Sequence, residues 1–236
     1  MNKIDVGIIL AAGKQTRLKS TTMTDFPKAL YPYKDRVILD INYETLSKFC
    51  KDVYIVVSYY NYKYFEEYDN GKYKDRLIRI HSGFGCGDAV YKTLNNLNKF
   101  YCKSCFLIWG DSIQNNGEVF QKSIDNFKNK LTIPVVFEQN PYVLFLTGEN
   151  NKITKVNFSK NGDDIFPGFH DLSAFLFDIE YLYKYLDELN SKKENNEFVF
   201  LDLINKTKIE AESVEINNVS AKSFNTMDEY LGINKP

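Results

Sequence analysis

The chain has 236 residues, 30 basic and 31 acidic side chains, a net charge of -1 and an apolar content of 44%. That is enough for one large domain or two small ones with a buried core, and it excludes a disordered chain. The charge balance argues against a dedicated nucleic-acid or anionic-membrane surface. No stretch approaches the roughly 18 apolar residues of a membrane helix. The first residues imitate a signal peptide only weakly, because Asp5 interrupts the start and Lys14 and Arg17 follow the short apolar run directly. The expected compartment is the cytoplasm.

Short apolar runs rich in β-branched and aromatic residues predict buried strands at 6–10, 53–58, 77–81 and 105–109. Helical spacing lies between them at 37–49, 62–68 and 88–97. This alternation predicts a parallel sheet with helices on both faces. The second half reads as strands at 132–137, 142–146, 153–158 and 172–177, helices at 181–189 and 198–204, and a last strand at 214–216. No linker or repeat divides the chain, so the expectation is a single α/β domain: Rossmann-like, with a mixed, mainly parallel central sheet.

The four cysteines are Cys50, Cys86, Cys102 and Cys105. Cys102 and Cys105 have metal-site spacing, but there is neither a second pair nor a nearby His, so buried thiols in a reducing compartment are expected.

In open α/β sheets ligands bind beyond the carboxyl ends of the strands. The first strand runs into Leu10-Ala11-Ala12-Gly13, whose small side chains let backbone come close to a ligand. Lys14, Thr16, Arg17 and, beyond Pro27, Lys28 follow. Cations and backbone amides at a strand end suit a triphosphate. The P-loop pattern fails, since Ile8 stands where its first Gly belongs and Gln15 where Ser or Thr is needed. The dinucleotide pattern fails because only Gly13 is present. The segment also reads as a plain strand, tight turn and basic-faced helix.

Leu10-Ala11-Ala12-Gly13-x-x-x-Arg17-Leu18 with Pro27-Lys28-Ala29-Leu30 resembles the nucleotidyltransferase superfamily that makes nucleoside-diphosphate sugars. The likeness is closest to the N-acetylglucosamine-1-phosphate uridylyltransferase domain and to small cytidylyltransferases such as those for phosphocholine. The resemblance implies that Leu10, Ala11, Ala12, Gly13 and Lys14 bind the nucleotide, that Arg17 holds the β- and γ-phosphates, and that Lys28 bridges the α-phosphate and the acceptor phosphate. Gln15 departs from the family, which usually has a second Gly there.

The resemblance extends to Gly85-Cys86-Gly87-Asp88-Ala89, where Gly85 and Asp88 would pack against base and ribose. Gly83 stands where the family has a base-reading Gln. Trp109-Gly110-Asp111 matches the family's strand with a metal-binding aspartate, so Asp111 is the candidate ligand of a Mg²⁺ ion; an Asp there is also an ordinary helix cap. Asn225 is the candidate second ligand, with Asp228 its competitor, although Asn225 and Thr226 before Asp228-Glu229 also form a helix-capping sequence. Residues 197–204 resemble an acidic and aromatic segment that shapes the core. The acceptor pocket is expected between the strands at 142–158 and residues 170–174, where His170 and Asp171 are candidates, although a lone His or Asp is also ordinary solvated surface.

The implied reaction joins a nucleoside triphosphate, UTP or CTP, to a phosphorylated acceptor, a sugar 1-phosphate, with release of pyrophosphate for surface-polysaccharide precursors. Residues up to about 130 would bind the nucleotide and those beyond it the acceptor. The alternatives are a cytidylyltransferase for a small non-sugar phosphate and a non-catalytic nucleotide sensor. A glycosyltransferase lacks support because Asp111-Ser112-Ile113 is not an Asp-x-Asp motif, and a dehydrogenase lacks its glycines. The chain ends before the acetyltransferase β-helix of the bifunctional uridylyltransferases, so one activity is expected.

Overall fold

The computed structural model describes residues 3–13, 26–81, 83–97, 102–191, 197–217, 219, 222–224 and 226–233. The first half contains strands β1 (Ile4–Leu10), β4 (Cys50–Ser58), β5 (Leu77–Ile80) and β6 (Ser104–Trp109), close to the segments expected. Helices α1 (Ile38–Phe49), α2 (Tyr62–Glu67) and α3 (Cys86–Leu97) connect them, and a small hairpin of β2 (Pro32–Tyr33) and β3 (Arg36–Val37) precedes α1. Helix α4 (Gly117–Asp125) follows β6, its first turn capped by Asn116, whose side chain accepts from the Glu118 N–H at 2.9 Å.

The second half contributes β7 (Leu131–Glu138), β8 (Val143–Thr147), β9 (Lys152–Phe158), β10 (Gly168–Asp171), β11 (Ala174–Asp178), α5 (Ile179–Ser191), α6 (Asp202–Lys206), β12 (Ala211–Glu215) and α7 (Met227–Ile233). Among the described residues ten strands form one sheet, ordered β10-β8-β9-β12-β7-β11-β6-β1-β4-β5. The sheet is mixed, as expected, but its parallel part is uneven. Strands β6, β1, β4 and β5 run parallel, whereas in the other half β7 and β12 alone pair in parallel. Strands joined by short turns, such as β8 and β9, can pair only antiparallel. A further pairing of β10 with β7 curls this end of the sheet back on itself.

Alternation sends each strand's apolar residues to two cores. Cys105 and Leu107 of β6 face the side covered by α3, α5 and α6, through Val90, Leu94, Leu182, Leu186 and Leu203. Phe106 and Ile108 face the side covered by α1 and α4, through Leu39, Leu46, Val119 and Phe120. Helices therefore cover both faces. No helix among the described residues is long and apolar enough to cross a membrane.

Two expected elements are revised. The strand expected at 172–177 begins only at Ala174, in β11, because Ser173 takes a left-handed φ of 58° between β10 and β11. At that step β7 changes partner, and Pro134, which has no N–H for a ladder, sits at the change and accepts from the Leu172 N–H. The helix at 198–204 starts only at Asp202, because the backbone before it bonds elsewhere: the Phe198 N–H donates to the Phe84 carbonyl, and the Phe198 carbonyl accepts from the Gly87 N–H.

From β1 the chain moves outward through β4 and β5, then returns to place β6 on the other side of β1. The connections thus diverge at the carboxyl ends of β1 and β6. In this architecture such a divergence opens the ligand crevice.

Candidate functional site

Three bonds hold the loop that leaves β1. The Ala11 N–H donates to the Val56 carbonyl at 2.8 Å, extending the ladder with β4 by one rung. The Leu10 carbonyl accepts from the Gly110 N–H at 3.0 Å. The Ala11 carbonyl accepts from Asn61 Nδ2 at 2.8 Å. Gly110 is required by close packing, since a Cβ there would stand 3.0 Å from the Leu10 carbonyl and 3.1 Å from the Ala11 methyl. Among the described residues nothing comes within 4 Å of a Cβ placed on Gly13. Lys14 and Arg17 lie outside the described residues.

Lys28 opens a 3-10 turn, Lys28–Leu30, and is only 7% exposed. Its ammonium donates to the Phe224 carbonyl at 2.6 Å and to Asp111 Oδ2 at 3.1 Å. The ammonium also lies 5.4 Å from the centre of the Phe224 ring. Two residues expected to act together, Lys28 and Asp111, are therefore in contact although 83 positions apart. Asp111 keeps 36% of its side chain exposed.

A buried polar network fixes the Asp111 turn from below. Asn42 donates to the Ser112 carbonyl at 2.8 Å and accepts from the Gln114 N–H at 2.9 Å. Gln114 Nε2 reaches the Leu172 carbonyl at 2.6 Å and Ser112 Oγ at 3.1 Å. From above, Ser112 bridges to Ser223 and the Ile113 N–H donates to the Lys222 carbonyl. This clasp explains why the Phe224 carbonyl meets Lys28. Asn225, the next residue, lies outside the described residues. Asp228 is exposed in the first turn of α7. There Thr226 accepts from the Glu229 N–H while Glu229 accepts from the Thr226 N–H, a capping box.

The glycine turn before α3 packs on residues 197–198. Gly85 has φ +98°, and a Cβ on it would come 2.7 Å from the Phe198 carbonyl. A Cβ on Gly87 would enter the Phe198 ring at 2.3 Å. Asp88 is almost fully buried; its Oδ2 accepts from Lys92 Nζ at 2.9 Å and from the Gly83 N–H at 3.3 Å. Lys92 also donates to the His81 carbonyl, and the His81 ring stacks on Tyr59 at 4.0 Å. Asp88 thus ties together His81, Gly83 and the first turn of α3. Burial raises the pKa of the Cys86 thiol behind this turn.

In the segment expected to line the acceptor pocket, His170 Nδ1 lies 3.0 Å from the Val143 carbonyl, and Asp171, 4% exposed, accepts from the Ser173 N–H. Both residues support the sheet. Sequence reasoning passed over Asn157, a buried polar residue between Val156 and Phe158. Its Nδ2 donates to the Asp164 carbonyl, and its Oδ1 has no partner among the described residues. It also passed over Asn61. The sole trace of either in the sequence is a polar residue beside or within an apolar run.

A family model described as nucleotidyl transferase matches residues 6–141, more than half of the chain. The chain belongs to the nucleotidyl transferase family. Curated relatives include the bifunctional protein GlmU of Streptococcus sanguinis (strain SK36), 26% identical over 237 residues that span 96% of this chain and 48% of that protein. GlmU of Streptococcus thermophilus (strain CNRZ 1066) is also 26% identical, with the same coverage. The chain spans about half the length of the curated relatives it matches.

Solved structures share the fold of this family member. The CTP:phosphocholine cytidylyltransferase of Streptococcus pneumoniae (LicC) superposes with a TM-score of 0.74 at 20% identity, covering 98% of both chains. The inositol-1-phosphate CTP transferase of T. maritima gives 0.70 at 18% identity, covering 97% of this chain and 92% of its own.

Proposed function

We propose that this family member condenses a nucleoside triphosphate, UTP or CTP, with a phosphorylated acceptor, a sugar 1-phosphate, and releases pyrophosphate. The observation that carries the reading is the Lys28–Asp111 contact at the divergence of β1 and β6, beside the small-residue backbone of 10–13. A cation and a carboxylate gathered there suit a triphosphate and the ion that accompanies it.

An oxygen of the acceptor phosphate attacks the α-phosphorus, and the bond from that phosphorus to the bridging oxygen breaks to release pyrophosphate. A phosphate monoester, with a second pKa of about 6, is already an anion at neutral pH. No general base is required, which accords with the absence of a nucleophile constellation in the sequence. Positioning and charge neutralisation supply the catalysis. In this reading Lys28 places its ammonium between the α-phosphate and the acceptor phosphate, and Arg17 and Lys14 meet the other phosphates. The backbone of 10–13 and the turn at Gly85 hold the nucleoside. Residues up to about 130 take the nucleotide and those beyond it the acceptor.

Among the described residues no group of three or more His, Cys, Asp or Glu could hold a metal by itself. The donors at hand are all oxygen: the part-exposed Asp111 carboxylate and, by the family resemblance, Asn225. So sparse a set fits Mg²⁺, which takes one or two carboxylates and completes its shell with phosphate oxygens and water. When bound there, the ion would neutralise charge on the triphosphate. Triphosphate pools are cytoplasmic, so the same reading places the protein in the cytoplasm, in the supply of surface-polysaccharide precursors.

A second reading, a cytidylyltransferase for a small alcohol phosphate, draws support from the fold shared with the phosphocholine and inositol-1-phosphate enzymes over 98% and 97% of this chain. One screen separates the readings: pyrophosphate release with Mg²⁺, four triphosphates, and a panel of sugar 1-phosphates and alcohol phosphates. Turnover with one pyrimidine triphosphate and one acceptor class is the expected result. Binding of a triphosphate without turnover on any acceptor would favour a nucleotide sensor instead.

A further inference from the structure

Asn61 stands three residues beyond the end of β4, at the entry to α2, and is 5% exposed. Its two ends do different work. Oδ1 accepts from the Ser58 N–H at 2.9 Å and from Ser58 Oγ at 3.0 Å, closing the turn between β4 and α2. An aspartate would close that turn equally well, since it needs only an acceptor. Nδ2 donates to the Ala11 carbonyl, fifty residues earlier in the chain. That bond needs the amide, so the turn alone does not account for Asn at this position.

The peptide between Ala11 and Ala12 is planar and trans, so its C=O and N–H point in opposite directions. Holding the Ala11 carbonyl against the start of α2 therefore turns the Ala12 N–H away from α2. Val56 already fixes the Ala11 N–H, and Gly110 the Leu10 carbonyl. With Asn61 the orientation of this backbone is set on every side that the sheet can reach.

We propose that Asn61 is a positioning residue for nucleotide binding, aiming the backbone of residues 11–12 at the bound nucleoside triphosphate. The proposal rests on the function proposed above. Two variants separate positioning from simple support. Asn61→Asp keeps both acceptor bonds to Ser58 and loses the donor to Ala11. Ser58→Ala removes one bond to Oδ1 and leaves the amide on Ala11.

The measurements are CTP and UTP affinity by calorimetry, the KM and kcat of turnover, melting temperature, and amide hydrogen exchange of the segment 8–13. Loss of a buried hydrogen bond in Asn61→Asp should weaken nucleotide binding about tenfold. Acceptor KM should not change, and exchange at 8–13 should quicken. Ser58→Ala should lower the melting temperature and leave nucleotide KM as it was. Equal nucleotide affinity in wild type and Asn61→Asp overturns the proposal, as does an equal rise in KM in both variants. A wild-type protein that binds neither triphosphate overturns the functional reading, and this role with it.

Discussion

Replacing Lys28 by Met keeps the stem of the side chain and deletes its charge, so two effects can be read separately. In the resting protein the ammonium is bonded to the Phe224 carbonyl at 2.6 Å and to Asp111 at 3.1 Å. Deletion leaves a carbonyl and a carboxylate without that donor. Asp111 is 36% exposed and can turn to water, so the main cost is the carbonyl, about 1–3 kcal/mol. For a domain of this size, where each kcal/mol moves the melting temperature by about 2–4 °C, the midpoint should fall by roughly 2–12 °C. The rate should fall further. A charged group aimed at developing phosphate charge contributes about 10²–10³ in kcat, or about 3–4 kcal/mol of barrier. Pyrophosphate release well below the midpoint, where the variant stays folded, isolates the second effect. Lys28→Arg should recover part of the charge but fit the buried slot poorly. If Lys28→Met loses the stability and keeps its kcat within about threefold, a change too small for that barrier, Lys28 is a structural clasp and its assigned catalytic part is wrong.

Asp5 offers a test by pH. Its burial works to raise its pKa, but the Lys51 ammonium and the backbone N–H groups of Ser104 and Lys103 outweigh that and hold it at about 2. A carboxylate lowered from an unfolded value of about 3.9 stabilises the fold above that pH and ceases to do so as pH falls toward 2. Asp5→Asn should therefore cost about 1–2 kcal/mol at pH 7 and almost nothing at pH 2, read as melting temperatures that converge in acid; a constant gap would contradict this origin. At the glycine turn, Gly87→Ala drives a methyl into the Phe198 ring and should cost about 1–3 kcal/mol. Gly85→Ala should cost more in the same thermal assay, since it adds a positive φ and a clash with the Phe198 carbonyl. Burial pushes the Cys50 thiol up to about 12 and raises that of Cys105 as well. In the native protein neither should react with a thiol reagent at pH 8, whereas both should once denaturant is added, as mass mapping would show; native labelling of either would refute the buried placement.

The first half of the fold was legible because β6, β1 and β4 are inner strands of a sheet covered on both faces. Burial on both faces writes a continuous apolar run, and the runs at 6–10, 53–58 and 105–109 fall inside β1, β4 and β6. The second half obeys rules that a run does not show. Nothing in Leu172-Ser173-Ala174 announces a left-handed step, since the apolar pattern passes straight through it. The step follows from the change of partner along β7 at Pro134, a relation between segments some forty residues apart. Likewise the helix expected from 198 loses its first turn to bonds with residues 84–87. Helix α4 was missed because few apolar residues mark its buried face.

The same distinction runs through the site. Lys28 and Asp111 could be found because each follows a signal of its own, a Pro after a polar loop and a Gly after an apolar strand. Their contact required the topology that sets β6 beside β1. Asn61 had no such signal. In the sequence, Tyr59-Tyr60-Asn61 reads as a turn after a strand, and Asn and Asp serve such turns alike. Only the position of the Ala11 carbonyl distinguishes them, and that position is fixed by pairings of β1 with β4 and of Leu10 with Gly110. A residue whose role depends on a donor rather than an acceptor, toward a partner fifty positions away, is invisible to local pattern. The substitution that tests Asn61 is therefore the one that local pattern would judge harmless.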